Sequence, residues 1–150
     1  NTAPDADNLQ KAGASANVAQ LNGGTVLYFN VRKAPFSDIR ARQAITMAID
    51  RTDMIKTLDN GLIAPMDSVF RHDSPFYDPS IVQLGYDPVK AQTLFDQLAA
   101  ETGGPLTFTL YTFTVNVYPV AAQYLQGALN KYRNVKVSID GAAPPLPCRQ

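Results

Sequence analysis

Catalysis finds little to work with in this chain, which has one histidine and one cysteine. His72 lies in a proline-rich stretch and Cys148 in a proline-rich tail, so a Cys–His pair would require the two to meet. No GxSxG elbow supplies a serine nucleophile. As the sole cysteine, Cys148 cannot form an internal disulfide; it reads as an incidental thiol or as the partner of a cysteine in a longer chain. His72 with Asp67 and Asp73 could hold a metal, but the spacing matches no ligand pattern and a surface histidine is the expectation. Gly23-Gly24 lacks the surroundings of a phosphate loop. Arg40, Arg42, Arg51 and Lys56 are interleaved with Asp38, Asp50 and Asp53, which reads as a solvated, salt-bridged face. Phe108, Tyr111, Phe113 and Tyr118 resemble a base-stacking platform, yet no lysine or arginine lies among them, which argues against nucleic acid. No catalytic residue, metal ligand or cofactor is assigned.

The elements that would position these residues are legible as periodic runs. Val26 to Val31 is apolar on both alternating sets, which predicts a central strand covered on both faces. Asn17–Leu21, followed by Asn22-Gly23-Gly24, is its candidate hairpin partner. Lys33-Ala34-Pro35 ends the strand, and Ser37 or Asp38 caps the next helix, whose stripe is Ala41, Ala44, Ile45, Ala48 and Ile49. A second helix, from about Thr52 to Leu58, carries Met54, Ile55 and Leu58 on one face and stops at Asn60-Gly61. A possible short helix near Asn8–Ala12 ends at Gly13. From Leu62 to Gly85 no period holds, so a long loop is expected, pinned by Val69, Phe70, Phe76 and Tyr77.

Asp87-Pro88 is a cap followed by proline at the first helical position. The stripe Val89, Ala91, Leu94, Phe95, Leu98 and Ala99 follows, and Gly103-Gly104-Pro105 stops it. Leu106, Phe108 and Leu110 then alternate with Thr107, Thr109 and Tyr111 as a strand. A helix from about Val117 to Tyr132 is predicted to bury Val120, Ala121, Tyr124, Leu125, Ala128, Leu129 and Tyr132. Val135, Val137 and Ile139 form a last strand, completing a right-handed βαβ crossover with parallel strands. In open α/β sheets ligands collect beyond the carboxyl ends of strands. Those ends are Asn30-Val31-Arg32 and Tyr111-Thr112-Phe113, where aromatic rings with an amide and a hydroxyl suit a peptide-like ligand. The helix after Thr112 would add free N–H groups suited to a carboxylate or carbonyl. Tyr111 and Phe113 read equally as loop aromatics packing on their own domain.

Thirteen basic residues balance thirteen acidic ones, so no global field draws in nucleic acid or an anionic membrane. Hydrophobic content of 45% with 17% charged residues argues for a globular domain, and 150 residues suffice for a single one. No apolar run crosses a bilayer, and Asn1-Thr2-Ala3-Pro4-Asp5 does not open a signal peptide, as expected of a mature or excised piece. The reading is therefore one α/β domain over residues 1–150 with an irregular tail over 141–150: a mixed sheet with flanking helices.

The order Tyr28-Phe29-Asn30, a Pro-Phe linker, an acidic cap and Ile39-Arg40-x-Arg42-Gln43-Ala44-Ile45-x-x-Ala48-Ile49-Asp50-Arg51 resembles the second lobe of extracellular solute-binding proteins of the peptide/nickel-binding class, which feed ABC importers. The resemblance runs on through Asn60-Gly61-Leu62, Tyr86-Asp87-Pro88-Val89-Lys90-Ala91 and the strand–helix–strand unit from Leu106 to Ile139. It implies one lobe of a bilobal, periplasmic-binding-protein-like receptor that captures a peptide or other small solute between lobes and delivers it to a membrane permease. It further implies an extracytoplasmic monomer, periplasmic or held at the membrane by an anchor outside this chain. The chain departs from that pattern by lacking a first lobe and by running into Gly-Ala-Ala-Pro-Pro after Asp140, where such receptors continue with a further ligand-contacting segment. Ligand residues expected on this reading are Asn30, Tyr111, Thr112 and Phe113. A ligand-sensing lobe of a transcription regulator is the alternative, and a hydrolase fragment relying on His72 or Cys148 a more distant one.

Overall fold

The structure, a computed structural model, describes residues 3–15, 25–59, 65–81, 83–115 and 118–141. These fall into two compact units, one of Asn1–Tyr28 with Asp50–Leu84 and the other of Phe29–Ile49 with Gly85–Gln150. The candidate strand Asn17–Leu21, the Asn60-Gly61 stop and Cys148 lie outside the described residues.

The unit of Phe29–Ile49 and Gly85–Gln150 contains helices α2 (Ile39–Ala48), α4 (Pro88–Thr102) and α5 (Tyr118–Leu129), with strands β1 (Leu106–Tyr111) and β2 (Val135–Asp140). Local chemistry starts and stops its helices. The Asp38 side chain accepts a hydrogen bond from the Arg40 backbone N–H at the start of α2, and Asp87 does the same for the Lys90 N–H ahead of Pro88. Gly103 ends α4 with φ +76°, a left-handed conformation in which its N–H returns to the Ala99 carbonyl. The terminal carbonyls of α2 are answered from a distance. Met47 O accepts from the Asp87 N–H (2.9 Å), and Ala48 O from the Tyr132 hydroxyl (3.1 Å).

β1 and β2 pair in parallel, as expected from the sequence, with Leu106 opposite Val135 and Tyr111 opposite Asp140. Alternation buries Leu106, Phe108, Leu110, Val135 and Val137 and turns Thr107, Thr109, Tyr111, Lys136, Ser138 and Asp140 outward. The Asn130 amide covers the edge of β2 at Val137: its Oδ1 accepts from the Val137 N–H (2.8 Å) and its Nδ2 donates to the Val137 carbonyl (3.1 Å). Phe95, Ile45 and Leu129, one from each of α4, α2 and α5, are the large side chains sealed completely from water. Each contributes on the order of 1.5–3 kcal/mol by burial.

The other unit holds helices α1 (Ala3–Lys11) and α3 (Arg51–Asp59) and the loop of residues 65–81. α1 starts earlier than the sequence suggested and stops at Gly13, as expected, with φ +84°. Asp50 accepts from the Asp53 N–H (3.0 Å) at the head of α3.

Three expectations are corrected. Residues 25–30 form no strand, and Val26, Leu27, Tyr28 and Val31 are exposed rather than covered on two faces. An apolar run becomes a strand only where a ladder partner satisfies its backbone, and the described residues supply none here. Val89 and Val120, placed in buried stripes, stand 77% and 53% exposed at the first turns of α4 and α5, where each stripe has outrun its neighbours. The residues assigned to pin the loop are largely exposed as well, with Phe76 at 70%; Phe70 and Phe76 meet each other, and Tyr77 meets His72.

Candidate functional site

The carboxyl end of β1 presents Tyr111, Thr112 and Phe113. β1 alternation sends Tyr111 to the outward face, where it is 61% exposed, and Phe113, just past the strand, is 60% exposed. Thr112 is the half-buried residue between them, anchored by its backbone N–H to the Asp140 carbonyl (3.0 Å). The Phe113 ring meets that of Tyr118 edge-on, centroids 5.8 Å apart. This gives Phe113 a fixed neighbour while leaving most of its surface to solvent. Gly141 lies close to the same loop: a Cβ added there would come within 3.3 Å of Thr114 Cγ2. The result is an aromatic-bearing rim with a hydroxyl, suited to cover an apolar group and hydrogen-bond a polar one.

Asn30 stands in a different local setting. Its Oδ1 accepts from the Arg32 N–H (3.2 Å) and its carbonyl from the Lys33 N–H (3.2 Å), so it heads a turn instead of ending a strand. Its neighbour Phe29 packs on Phe36 (5.0 Å), which packs on Phe108 (5.0 Å) on the buried side of β1, opposite to Tyr111. The proposed platform is divided in the same way. Phe108 is core, whereas Tyr111, Phe113 and Tyr118 remain accessible.

The other candidates resolve into local structure. His72 Nε2 lies 3.0 and 3.1 Å from the two Asp67 oxygens and its ring stacks on Tyr77 (4.4 Å), while Asp73 is held by Arg71 (2.9 and 2.8 Å). The hydrogen bond from His72 holds the Asp67 carboxyl below its usual range, and Arg71 does so for Asp73. The acids are thus divided between two partners, and no group of three metal-binding side chains occurs among the described residues.

Arg40 takes part in the expected salt-bridged face, binding the capping Asp38 and, through both terminal nitrogens, Glu101 at the end of α4 (2.7 and 2.6 Å). Both carboxyls are lowered chiefly by hydrogen bonds from Arg40. An open groove of about 520 Å³ beside α4 is lined by a polar network. Partial burial works to raise the Asp96 carboxyl there, but hydrogen bonds from Asn134 and Gln92 and the charge of Arg133 keep it below the ordinary range.

The strand register also brings Asp140 to this end of the sheet. It extends the alternation of Lys136 and Ser138 by one step and stands opposite Tyr111, a juxtaposition set by the strand register.

These features define a helix–strand lobe of the periplasmic-binding-protein type. It aligns over 74% of its length with a Helicobacter pylori ABC transporter-associated periplasmic binding protein, DppA, in complex with the peptide STSA (30% identity, TM-score 0.63), covering 21% of that chain. Residues 1–145 match the family of bacterial extracellular solute-binding proteins, family 5, and the chain belongs to it. It is 30% identical over 95 residues to the dipeptide-binding protein of Escherichia coli K12, covering 62% of this chain and 18% of that one. It is 32% identical over 100 residues to heme-binding protein A of Haemophilus influenzae, covering 65% and 18%. The chain thus spans about a fifth of the length of these relatives. Among the described residues, no helix is long and apolar enough to cross a membrane.

Proposed function

We propose that this chain forms part of the second lobe of the solute-capturing component of an ABC importer, working outside the cytoplasm as a monomer that hands its ligand to a permease. Both compact units belong to that lobe, read as one α/β domain with 141–150 as a tail. The role is capture rather than catalysis. The observation that carries the reading is an exposed Tyr111-Thr112-Phe113 rim at the carboxyl end of a parallel strand, in a chain that matches this family over residues 1–145. Ligands in open α/β sheets gather at that end. Peptides, or a related small solute, are the ligand class favoured by the dipeptide-binding relative and the peptide-bound structural neighbour. Tyr111, Thr112 and Phe113 line the cleft in this proposal; Asn30 has the weaker claim, since its amide oxygen serves its own turn.

Calorimetry against mixed di- to pentapeptides tests the reading. The full-length protein should bind at about micromolar affinity or tighter, while this chain alone should show nothing tighter than about the upper micromolar range, lacking the opposing lobe and the closure step. Nanomolar binding by this chain alone would contradict a two-lobe site. Absence of binding by the full-length protein to any peptide would remove the peptide assignment.

A further inference from the structure

The two strands have unlike outer edges. Val137 gives its N–H to Asn130 Oδ1 (2.8 Å), and its carbonyl accepts from Asn130 Nδ2 (3.1 Å) and Gln126 Nε2 (3.0 Å). Side-chain amides from α5 and the residue after it thus take the hydrogen bonds that a neighbouring strand would make at the middle of β2. The opposite edge follows from the ladder itself. The Asn134 and Asp140 carbonyls accept from the Leu106 and Thr112 N–H groups, so the even-numbered residues of both strands turn their backbone groups toward each other. Thr107, Thr109 and Tyr111 therefore direct their N–H and C=O groups away from β2. Among the described residues the sheet consists of β1 and β2, and no third strand meets those groups.

β1 also lacks the devices that keep an edge strand from pairing. Leu106–Tyr111 has no charged residue and no proline, and its register with β2 runs one to one, without a bulge to turn it aside. β2, by contrast, carries Lys136 as well as its amide cover. Resting on the reading of this chain as part of a larger lobe, we infer that β1 is an inner strand of the working receptor. A strand supplied by the polypeptide outside residues 1–150 pairs along Thr107, Thr109 and Tyr111. The chain spans 18% of each curated relative, which leaves ample length to supply it. With β2 closed by Asn130 and Gln126, the sheet grows in one direction only, and the Tyr111–Phe113 rim moves from its margin to its interior.

Residue-resolved hydrogen exchange on the full-length protein, without peptide, tests this. The N–H groups of Phe108 and Leu110 face β2 and are protected in either case. Those of Thr109 and Tyr111 should also exchange at least about a hundredfold slower than unstructured amides, because the added strand accepts from them. In the isolated 150-residue chain protection should alternate, remaining at Phe108 and Leu110 and falling below about tenfold at Thr109 and Tyr111. Unprotected Thr109 and Tyr111 in the full-length protein overturn the inference. So does protection that arises only with added peptide, since the ligand would then be the occupant, and so does equal protection in the isolated chain, where no outside strand is present. If the isolated chain does not fold, Thr109→Pro in the full-length protein decides. On an inner strand it removes a ladder donor and should lower Tm by about 5 °C or more relative to Thr109→Ala; a difference below about 1 °C would leave β1 an edge. None of these readouts measures ligand affinity, so failure of the capture role and failure of the inner strand are seen separately.

Discussion

Every buried apolar side chain among the described residues, from Ala41 to Val137, belongs to the unit of Phe29–Ile49 and Gly85–Gln150; the unit of Asn1–Tyr28 and Asp50–Leu84 has none. The first is held by contacts between segments far apart in sequence, with Phe95, Ile45 and Leu129 arriving from three helices. The loop of residues 65–81 in the second is shaped by bonds between near neighbours. Ser68 Oγ accepts from the Phe70 N–H (3.2 Å), Ser74 Oγ from the Phe76 N–H (3.3 Å) and Asp78 Oδ1 from the Ser80 N–H (2.9 Å), three side-chain turns in succession. Such turns shape a loop but bury little, so they set conformation without much global stability. The contrast places the rigid support of the Tyr111–Phe113 rim in one unit and an adaptable surface in the other.

The strongest way to break this contrast is Phe95→Ala. Removing a fully sealed aromatic should destabilise the protein by about 3–5 kcal/mol in chemical denaturation. A loss below about 1 kcal/mol would mean that the three-helix core is hydrated. Asn130→Ala comes next. It removes the acceptor for the Val137 N–H on a residue only 6% exposed, at an expected cost of about 1–3 kcal/mol. No measurable change would show that the β2 edge is satisfied in another way.

Asp38→Ala removes the cap of α2 and should cost about 1 kcal/mol near neutral pH. Its acid dependence sharpens the point. Hydrogen bonds from Arg40 lower the folded-state pKa of Asp38 below the ordinary 3.8. Its contribution is therefore fully present above that value and is lost as pH falls through the lowered one. Asp38→Asn should keep most of the neutral-pH cap and flatten the acid limb of the stability curve; an unaltered acid limb would show that the pair does not form in solution. The smallest effect is expected in the other unit. Phe76→Ala, at a ring 70% exposed, should shift stability by less than about 0.5 kcal/mol. A loss comparable to that of Phe95→Ala would erase the distinction between the units.

What the sequence made legible follows the same division between local and distant causes. Asp87-Pro88 and Gly103 mark α4 because a cap, a fixed proline φ and a left-handed stop act within one turn. The alternation of Leu106 to Tyr111 and of Val135 to Asp140 read as strands for a similarly local reason. The run from Val26 to Val31 misled because apolar alternation says nothing about whether a ladder partner is present. Ala122, buried yet outside the expected stripe, and Val120, exposed within it, show that the rotation of α5 is set by what it packs on. The bridge from Arg40 to Glu101 spans 61 positions, and no spacing rule reaches that far. The place of Tyr111, Thr112 and Phe113 at the carboxyl end of β1 was legible from strand alternation and topology. That Asp140 stands opposite Tyr111 was hidden, because it depends on a register that only the folded pair defines.

The measurement that bears most directly on the central claim is Phe113→Ala in the full-length protein, with peptide affinity by calorimetry and stability by denaturation on the same samples. A ring that is 60% exposed and edge-on to Tyr118 at the carboxyl end of β1 should, on the proposed function, lose about 1–3 kcal/mol of ligand binding when truncated, with stability nearly unchanged. Stability lowered by several kcal/mol, with affinity per folded molecule untouched, would make Phe113 a packing residue and move the ligand edge away from β1.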